Sequence, residues 1–317
     1  MGNRFEGKVA VVSGGGRGIG RAVALLLAEE KASVVVNDLG CDVDGTGSQR
    51  EPADEVVAEI KRAKGKAVAS YEDVSSMKGG ERVVQQAVDS FGRVDILVNS
   101  VGVRRDRMIF QMTPQDWDVV IRTGLKSYFT MTKFATILMR QQRSGRIVNL
   151  TSDAGLGAVG MSSYAAATEG VIGMTRSVAR DVGRYGVTCN AVSAVAETRL
   201  FPGIVASYRT PDQRAGLGTP PVLGAWEGPG EPGDAENVAP LVAYLCTGES
   251  PNANGYVFGV RGGSIYLYSN PEIERNIYKA DMFTMDELDE LVPQFLSYDM
   301  SPGWGRWGRR RIGGRDG

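Results

Sequence analysis

The sequence predicts an α/β fold in which seven parallel strands form a sheet covered by helices on both faces. Short apolar runs rich in β-branched residues alternate with longer amphipathic stretches along residues 8–260. Strands that are apolar along their whole length are typical of a parallel sheet buried on both faces. Because connections between neighbouring parallel strands are almost always right-handed, the alternation indicates a doubly wound topology.

The predicted strands are the short β-branched runs at residues 8–13, 33–37, 66–71, 94–99, 146–151, 187–192 and 256–260. Between them lie predicted helices at residues 19–30, 52–64, 79–91, 114–142, 164–184 and 235–246. All of these elements are expected to belong to one domain, residues 1–265, and the sequence contains no internal repeat.

Three segments fall outside this alternation. Residues 201–234 are rich in Gly and Pro, which indicates a mobile loop on the substrate side before the last helix. Residues 266–300 form a C-terminal extension that we expect to pack on the domain, with a short helix that starts near Thr284 because acidic residues follow it. The Gly- and Arg-rich residues 301–317 are typical of a disordered tail.

Composition excludes several classes of partner. The 317 residues carry a formal net charge of −1, which provides no electrostatic surface for nucleic acid or an anionic membrane. No apolar run reaches the length of about 20 residues that a membrane-spanning helix needs. The first residues, MGNRFEGKVAVV, lack the apolar core of a signal peptide. These features predict a cytoplasmic protein.

The chain contains no histidine, which excludes every mechanism and every metal site that depends on imidazole. Its three cysteines, Cys41, Cys189 and Cys246, are odd in number and far apart, so they predict neither a disulfide framework nor a metal site. Proton transfer must therefore fall to Tyr, Lys, Asp, Glu, Ser or Cys side chains.

A glycine-rich segment, SGGGRGIG at residues 13–20, joins the first predicted strand to the first predicted helix. Such a segment can be a mere tight turn, but glycines also let the backbone approach a pyrophosphate at the helix N-terminus. Asp38, at the end of the next strand, completes the pattern of a dinucleotide site. Its carboxylate accepts hydrogen bonds from ribose hydroxyls and repels a 2′-phosphate, which favours NAD over NADP. Arg17 is the counter-argument, because a basic residue there can hold a 2′-phosphate.

Four features together resemble the short-chain dehydrogenase/reductase family: the glycine segment, NSVG at residues 99–102, Ser152 and Tyr164. The resemblance covers about residues 5–265 and implies a single Rossmann domain that binds NAD. Within that domain the cofactor-binding residues would be Ser13, Gly14, Arg17, Gly18, Ile19, Gly20, Asp38, Asp73, Val74, Asn99, Gly102, Thr168 and Thr198.

A narrower resemblance concerns the stretch VVVNDLG, the acidic, Gly-rich insertion CDVDGTGSQ and the later GKAVASYEDV. These are similar to the (3R)-hydroxyacyl-CoA dehydrogenase module of peroxisomal multifunctional enzymes and to bacterial relatives, some of which act on steroid side-chain thioesters. The resemblance implies a bulky acyl-thioester or a steroid- or polyketide-like substrate, such as a CoA or carrier-protein thioester. It also implies a homo-oligomer, a dimer or tetramer formed through residues 114–142 and 164–184, with a heteromer as the alternative.

The resemblance assigns the proton of the reaction to Tyr164 and a hydrogen bond to the substrate oxygen to Ser152. The family's lysine, one helical turn after the tyrosine, is Thr168 here, and its asparagine is Gly124. A phenol has a pKa of about 10, so about one in a thousand is ionised at neutral pH. Losing a lysine that brings this pKa near 7 is worth roughly 4 kcal/mol for a step that needs tyrosinate. We therefore expect activity to favour reduction, in which the neutral phenol donates its proton.

Three charged residues are candidates to replace the lysine. Glu169 lies off the helical face of Tyr164, and its negative charge would raise the pKa of the phenol. Lys126 is expected to be a solvated lysine. Arg104 either reaches toward the substrate as an anion clamp or electrostatic helper, or lies on the surface. Tyr164 also has a plainer interpretation, a buried structural tyrosine, and Ser152 could merely cap the turn after its strand.

Two functions fit these residues. The first is an NAD(H)-dependent oxidoreductase with an altered proton relay. The second is a non-redox protein that keeps the dinucleotide site, either a cyclase or other pocket catalyst, or an inactive partner subunit. Retention of Ser152 and Tyr164 favours the first function, and loss of the lysine and asparagine favours the second. We favour the oxidoreductase.

Overall fold

The chain divides into two units, each of which is described by itself. The computed structural model describes residues 2–203, 231, 233–250, 252–298 and 300. The first unit contains the described residues up to 268, and the second contains those from 269 onward. The loop predicted at 201–234 lies mostly outside the described residues, and the tail predicted at 301–317 lies wholly outside them.

One eight-stranded sheet forms the centre of the first unit, and its strand order is β3-β2-β1-β4-β5-β6-β7-β8. Its strands are β1 (Val9–Ser13), β2 (Ser33–Asn37), β3 (Lys66–Ser70), β4 (Ile96–Asn99), β5 (Gly145–Thr151), β6 (Val187–Val195), β7 (Val257–Arg261) and β8 (Ser264–Leu267). The first seven are parallel, and they confirm the predicted strands and the doubly wound topology.

The eighth strand departs from the predicted seven-stranded sheet. β8 runs antiparallel to β7 at the edge of the sheet, after a tight turn in which Gly262 has a φ of 52°. This strand is only four residues long. Such a short run shows too little alternation to be separated from a loop in the sequence.

Helices cover both faces of the sheet. They are α1 (Gly18–Glu29), α2 (Glu51–Arg62), α3 (Met77–Phe91), α4 (Pro114–Ile121), α5 (Ser127–Gln142), α6 (Ser162–Val182) and α7 (Ala239–Leu245). Buried side chains of α1, α2 and α7 form one core cluster with Ala10 and Val12, whereas those of α3, α5 and α6 form another with Val9 and Val11. The alternation along β1 thus places two apolar layers on opposite faces of the sheet.

The single helix predicted over residues 114–142 is interrupted. Between α4 and α5 the residues Arg122–Lys126 form a π-helical turn, with Gly124 at its centre. Turns of this kind are rare and occur mostly as insertions near functional sites. The sequence pattern does not distinguish a π-helical turn from continuous α-helix, because the turn shifts the spacing between apolar residues by only one position.

The second unit contains one helix, α8 (Met285–Leu291), which continues as a π-helical turn at Val292–Leu296. Thr284 caps it, as the sequence predicted, because its hydroxyl accepts from the Glu287 N–H while the Glu287 carboxylate accepts from the Thr284 N–H. Lys279 Nζ lies 2.7 Å from the same carboxylate. The predicted packing of residues 266–300 on the domain stays a prediction.

Among the described residues, no helix combines the length and the apolar character that crossing a membrane requires.

Candidate active site

A cleft opens at the carboxyl ends of the parallel strands, where the strand order reverses between β1 and β4. Its wall includes the residues that directly follow five of the strands, namely Gly14, Asp38, Ser100, Ser152 and Ala196. Crevices at this position bind ligands in open parallel sheets, because the loops on either side diverge.

The turn from β1 into α1 forms one end of the cleft. Gly14 has a φ of 71°, and a Cβ there would lie 2.7 Å from the Ser100 carbonyl oxygen. The N-cap of α1, Arg17, makes no side-chain capping bond, so the first N–H groups of the helix remain free for a ligand, and Gly18 and Ile19 line the cleft beside them. An uncapped, positively polarised helix end that the backbone can approach closely fits a pyrophosphate.

Replacing Gly20 by alanine is expected to disrupt this turn. A Cβ at Gly20 would overlap the backbone carbonyl oxygen of Gly14, which no rotamer change relieves. We expect the free energy of unfolding to fall by about 3 kcal/mol in denaturant titration. Gly173→Ala is the matched control, because a Cβ at Gly173 in α6 meets nothing within 4 Å and should stabilise the helix by up to about 1 kcal/mol. Equal stability of the two variants would contradict the steric argument.

Asp38 is held rigidly next to this turn. Its Oδ2 accepts from the Gly16 N–H at 2.9 Å and its Oδ1 from the Gly40 N–H at 2.8 Å. Each carboxylate oxygen still has a lone pair that could accept from a ribose hydroxyl. Arg17 also lines the cleft, and its Nη1 donates to the Cys41 carbonyl at 3.2 Å, so its guanidinium is held within the same cleft as the carboxylate.

Some of the remaining predicted cofactor residues line the cleft, and the others lie behind it and hold its wall in place. Asp73, Val74, Gly102, Thr168 and Thr198 line the cleft. Thr198 lies across the glycine turn, where its Cγ2 would be 3.3 Å from a Cβ at Gly18.

Ser13 and Asn99 lie behind that wall, fully buried in the sheet. Ser13 Oγ donates to Asn99 Oδ1 at 3.1 Å, and Asn99 Nδ2 donates to Asn149 Oδ1 at 2.8 Å. This buried chain of hydrogen bonds ties β1, β4 and β5 together beneath the cleft. Gly20 also supports the cleft from behind. Because it has no side chain, the first turn of α1 can pack closely on the backbone of Gly14.

Tyr164 and Ser152 both face the other end of the cleft. Tyr164 lies in the first turn of α6, and its ring packs edge-to-face on Phe201 with the centroids 5.6 Å apart. Burial raises the pKa of Tyr164 to about 12; the Arg104 guanidinium lowers it, and the carboxylates of Asp153 and Asp106 raise it. The phenol is therefore neutral at pH 7.

Ser152 directly follows β5, and its side chain both caps the next turn and lines the cleft. Its Oγ accepts from the Ala154 N–H at 3.2 Å and lies 3.5 Å from Asp153 Oδ1. The plainer interpretation of this serine, a cap after a strand, is thus correct in part, yet its side chain also lines the cleft.

The two replaced family positions, Thr168 and Gly124, both line the cleft. The Thr168 hydroxyl donates to the Tyr164 carbonyl at 2.9 Å and lies 3.1 Å from that of Ala165, so its proton is engaged within the helix. Only its lone pairs could serve a ribose hydroxyl. A Cβ at Gly124 would lie 3.4 Å from the Ala167 Cβ, at the lower limit of ordinary van der Waals contact.

The three charged candidates separate clearly. Glu169 and Lys126 are exposed, and neither lines the cleft. Arg104 is mostly buried, with 20% of its side chain exposed, and its guanidinium carbon lies 4.1 Å from the centroid of the Phe201 ring. Arg104 does not line the cleft either; it is largely buried rather than extended over the surface, and it stacks on Phe201, which in turn contacts Tyr164.

Several wall residues were not predicted from the sequence. Arg199, next to Thr198, donates from Nη1 to the Cys41 carbonyl at 2.8 Å. Tyr128 lies beneath Tyr164 and donates its hydroxyl proton to the Leu150 carbonyl at 2.9 Å. Adjacency to Thr198 could have indicated Arg199. Nothing local could have indicated Tyr128, because its place depends on the packing of α5 against β5.

The cysteines are thiols at neutral pH. Burial raises the pKa of Cys189 and of Cys246 to about 12, and it also raises the pKa of Cys41, which lines the cleft. None is poised as a nucleophile, because the thiolate is the reactive form. The described residues contain no group of three His, Cys, Asp or Glu side chains that could hold a metal ion.

Comparison with known proteins agrees with this geometry. A family model described as short chain dehydrogenase matches residues 8–204. The hydroxyacyl-CoA dehydrogenase ChsB1 of Mycobacterium tuberculosis is 37% identical over 93% of this chain and 89% of its own length. The peroxisomal multifunctional enzyme type 2 of Drosophila melanogaster is 38% identical over 84% of this chain, which spans only 41% of that longer protein. A crystal structure of a short chain dehydrogenase from Mycobacterium avium superposes with a TM-score of 0.77 at 34% identity, covering 94% of this chain and 98% of the other.

Proposed function

Because the chain belongs to the short-chain dehydrogenase family, we propose that it transfers a hydride between NAD(H) and a hydroxy or keto group of a bulky acyl thioester. The observation that carries this proposal is the geometry of one cleft. The free helix end and Asp38 lie at one end of it, and Tyr164 and Ser152 lie at the other. A ligand with a pyrophosphate, a ribose and a reactive ring can therefore reach both ends.

The protein's own groups supply the proton chemistry. When bound, the nicotinamide would give or take the hydride. In reduction Tyr164 donates its hydroxyl proton to the substrate oxygen, and the Ser152 hydroxyl hydrogen-bonds the same oxygen. A phenol with a pKa of about 12 is fully protonated at pH 7 and ready to donate. The reverse reaction needs tyrosinate, which is scarce, so reduction is the favoured direction.

The substrate class is proposed from the relatives. The names of two of them specify a hydroxyacyl-CoA dehydrogenase and a 3-oxoacyl-[acyl-carrier-protein] reductase, the latter from Synechocystis sp. and 37% identical over 81% of this chain. The first name describes a hydroxy group on an acyl-CoA thioester, and the second describes a 3-keto group on a carrier-protein thioester. A steroid- or polyketide-like acyl group belongs to the same proposal.

The cofactor part of the proposal is tested by titrating the protein with NADH and with NADPH and following ligand fluorescence. We expect NADH to bind about tenfold more tightly, because the Asp38 carboxylate repels a 2′-phosphate while Arg17 offsets part of that repulsion. Asp38→Asn removes the charge and nearly keeps the shape, so the preference should shrink. The ratio of the two affinities is measured on one preparation, so any loss of folded protein cancels. Tighter binding of NADPH to the unaltered chain would overturn the NAD assignment.

The activity part is tested by following nicotinamide absorbance with 3-oxoacyl-CoA thioesters of increasing acyl length. We expect slow reduction that depends on the thioester. Cofactor binding without turnover on any of them would favour the second candidate function, a non-redox protein that retains the dinucleotide site. That candidate is supported by Thr168, which carries no positive charge and whose hydroxyl proton is engaged by the Tyr164 backbone carbonyl, and by Gly124, which has no side chain to hold a water.

Assembly and location belong to the same proposal. Trp117, Phe129 and Ile137, on α4 and α5, are large apolar side chains that are 39%, 47% and 42% exposed. Exposed apolar residues along these helices support the homo-oligomer, although an interface with a complete homologue would use the same surface. The cytoplasmic location predicted from composition stays a prediction.

A further inference from the structure

We propose that Arg104 is a positioning residue for Tyr164, acting through the ring of Phe201, and that its positive charge stabilises the tyrosinate which oxidation requires. Arg104 would thus supply, through Phe201, part of what an ammonium at position 168 supplies in the family. The inference rests on the proposed function, because it concerns the same phenol.

The contacts of Arg104 fix its guanidinium in one place. The group is a partner of the Asp106 carboxylate and donates to the Leu200 carbonyl, and its carbon lies 4.1 Å from the Phe201 centroid. Phe201 in turn meets Tyr164 edge-to-face, at 5.6 Å and with 62° between the ring planes. A planar guanidinium can stack on a ring face and keep its hydrogen bonds at the edge, which an ammonium cannot do.

The stack has two consequences for the phenol. Phe201 cannot turn away from Tyr164 without breaking the contact with Arg104, so the tyrosine ring is held on the cleft wall. In addition, a positive charge lies one ring away from the Tyr164 ring, in a partly buried site. Charges act over such distances more strongly in a partly buried site than in water.

The charged and titratable groups that act on Tyr164 come from several elements. They are Arg104 and Asp106 from the segment after β4, Asp153 from the turn after β5, and Tyr128 from α5. Arg104 is the group among them that lowers the pKa of Tyr164, against the effects of burial and of the two carboxylates. Arg261 lies 3.8 Å from Asp153 and weakens the influence of that carboxylate. Asp153 and, to a smaller extent, Asp106 are the negative charges whose effects on the phenol Arg104 must outweigh.

A structural role and an electrostatic role make different predictions. If Arg104 only braced Leu200 and Phe201, loss of Arg104 and loss of its partner Asp106 would both loosen the same contacts. If the charge acts on the phenol, the two changes must shift the pKa of Tyr164 in opposite directions. Arg104→Met raises the pKa because a cation is lost, and Asp106→Asn lowers it because an anion is lost.

The test is a titration of the phenol in the full chain without cofactor or substrate. A fluorinated tyrosine is placed at position 164, since fluorination lowers the pKa of a phenol into a range where the protein stays folded, and its ionisation is followed by 19F NMR. We expect Arg104→Met to raise the measured pKa by about one unit and Asp106→Asn to lower it by a smaller amount. Arg105→Met is the matched control: Arg105 bonds to the Asp44 carbonyl at 2.8 Å and lies 3.6 Å from Asp116, so the pKa should not move.

An unchanged pKa in Arg104→Met, or shifts of the same sign in Arg104→Met and Asp106→Asn, would overturn the proposal. Should Arg104→Met not fold, Arg104→Gln takes its place, because it also removes the charge: a raised pKa supports the proposal and an unchanged one overturns it. The titration needs no turnover, so its outcome is independent of the proposed activity. Where the unaltered protein oxidises an alcohol, the Arg104→Met variant should oxidise it about tenfold more slowly when both are compared at the same pH, below the pKa of Tyr164. The rate of reduction should change much less.

Discussion

Tyr164→Phe should lower the turnover of a 3-oxoacyl thioester about 1,000-fold while leaving the affinity for NADH within about twofold. In the proposed reaction the phenol donates the proton, and a pKa of about 12 keeps it protonated across the physiological range. A phenylalanine ring keeps the edge-to-face contact with Phe201 and removes only the hydroxyl. The measurement combines nicotinamide absorbance for turnover with ligand fluorescence for affinity.

Tyr128→Phe is the matched control, because Tyr128 lines the same cleft and also loses only a hydroxyl. Its hydroxyl donates to the Leu150 carbonyl, so we expect a loss of about 1 kcal/mol of stability with turnover nearly unchanged. If Tyr164→Phe kept its rate while Tyr128→Phe lost it, the proton donor would have been assigned to the wrong tyrosine. If neither variant lost activity, the chemistry would not depend on a phenol at all.

The parts of the fold that could be predicted are those with a strong local signal. β1, β2 and β3 are apolar, β-branched runs bounded by polar turns, and their limits agree with the structure within a residue. β8 was missed because it is short and gains its order by pairing with β7. The π-helical turn around Gly124 was missed because it depends on how α4 and α5 pack on α6, not on the residues of the turn itself.

In the candidate site, too, the residues with a local sequence signal could be predicted and those placed by long-range contacts could not. Gly14, Asp38, Ser152 and Tyr164 follow the ends of strands or begin a helix, so their convergence could be predicted from the order of the elements. The surroundings of Arg104 could not, because they bring together Leu200 and Phe201 from a segment almost a hundred residues away. Such long-range contacts act on the pKa of the phenol after the larger effect of burial, and a sequence pattern does not contain them.

Thr168→Lys should raise the rate of alcohol oxidation at pH 7 about 100-fold. With a pKa of about 12, only about one phenol in 100,000 is ionised at that pH. An ammonium one helical turn away favours the ionised form and lowers such a pKa by about one to three units. Reduction should change far less, because the neutral phenol already donates. The measurement is the initial rate of nicotinamide reduction by a 3-hydroxyacyl thioester between pH 7 and 10.

Thr168→Met is the control, because it adds a side chain to the cleft without a charge and gives up the same hydroxyl bond to the Tyr164 carbonyl. The unaltered chain and Thr168→Met should both show an oxidation rate that climbs about tenfold per pH unit, since each needs a tyrosinate that is rare below its pKa. The oxidation rate of Thr168→Lys should reach its plateau at a lower pH.

If Arg104 also supplies charge to the phenol, Thr168→Lys should compensate for the loss caused by Arg104→Met, so that the double variant oxidises faster than Arg104→Met alone. Equal oxidation rates for Thr168→Lys and Thr168→Met at every pH would mean that a positive charge near the phenol does not raise the rate. The electrostatic roles assigned to positions 168 and 104 would then both be contradicted.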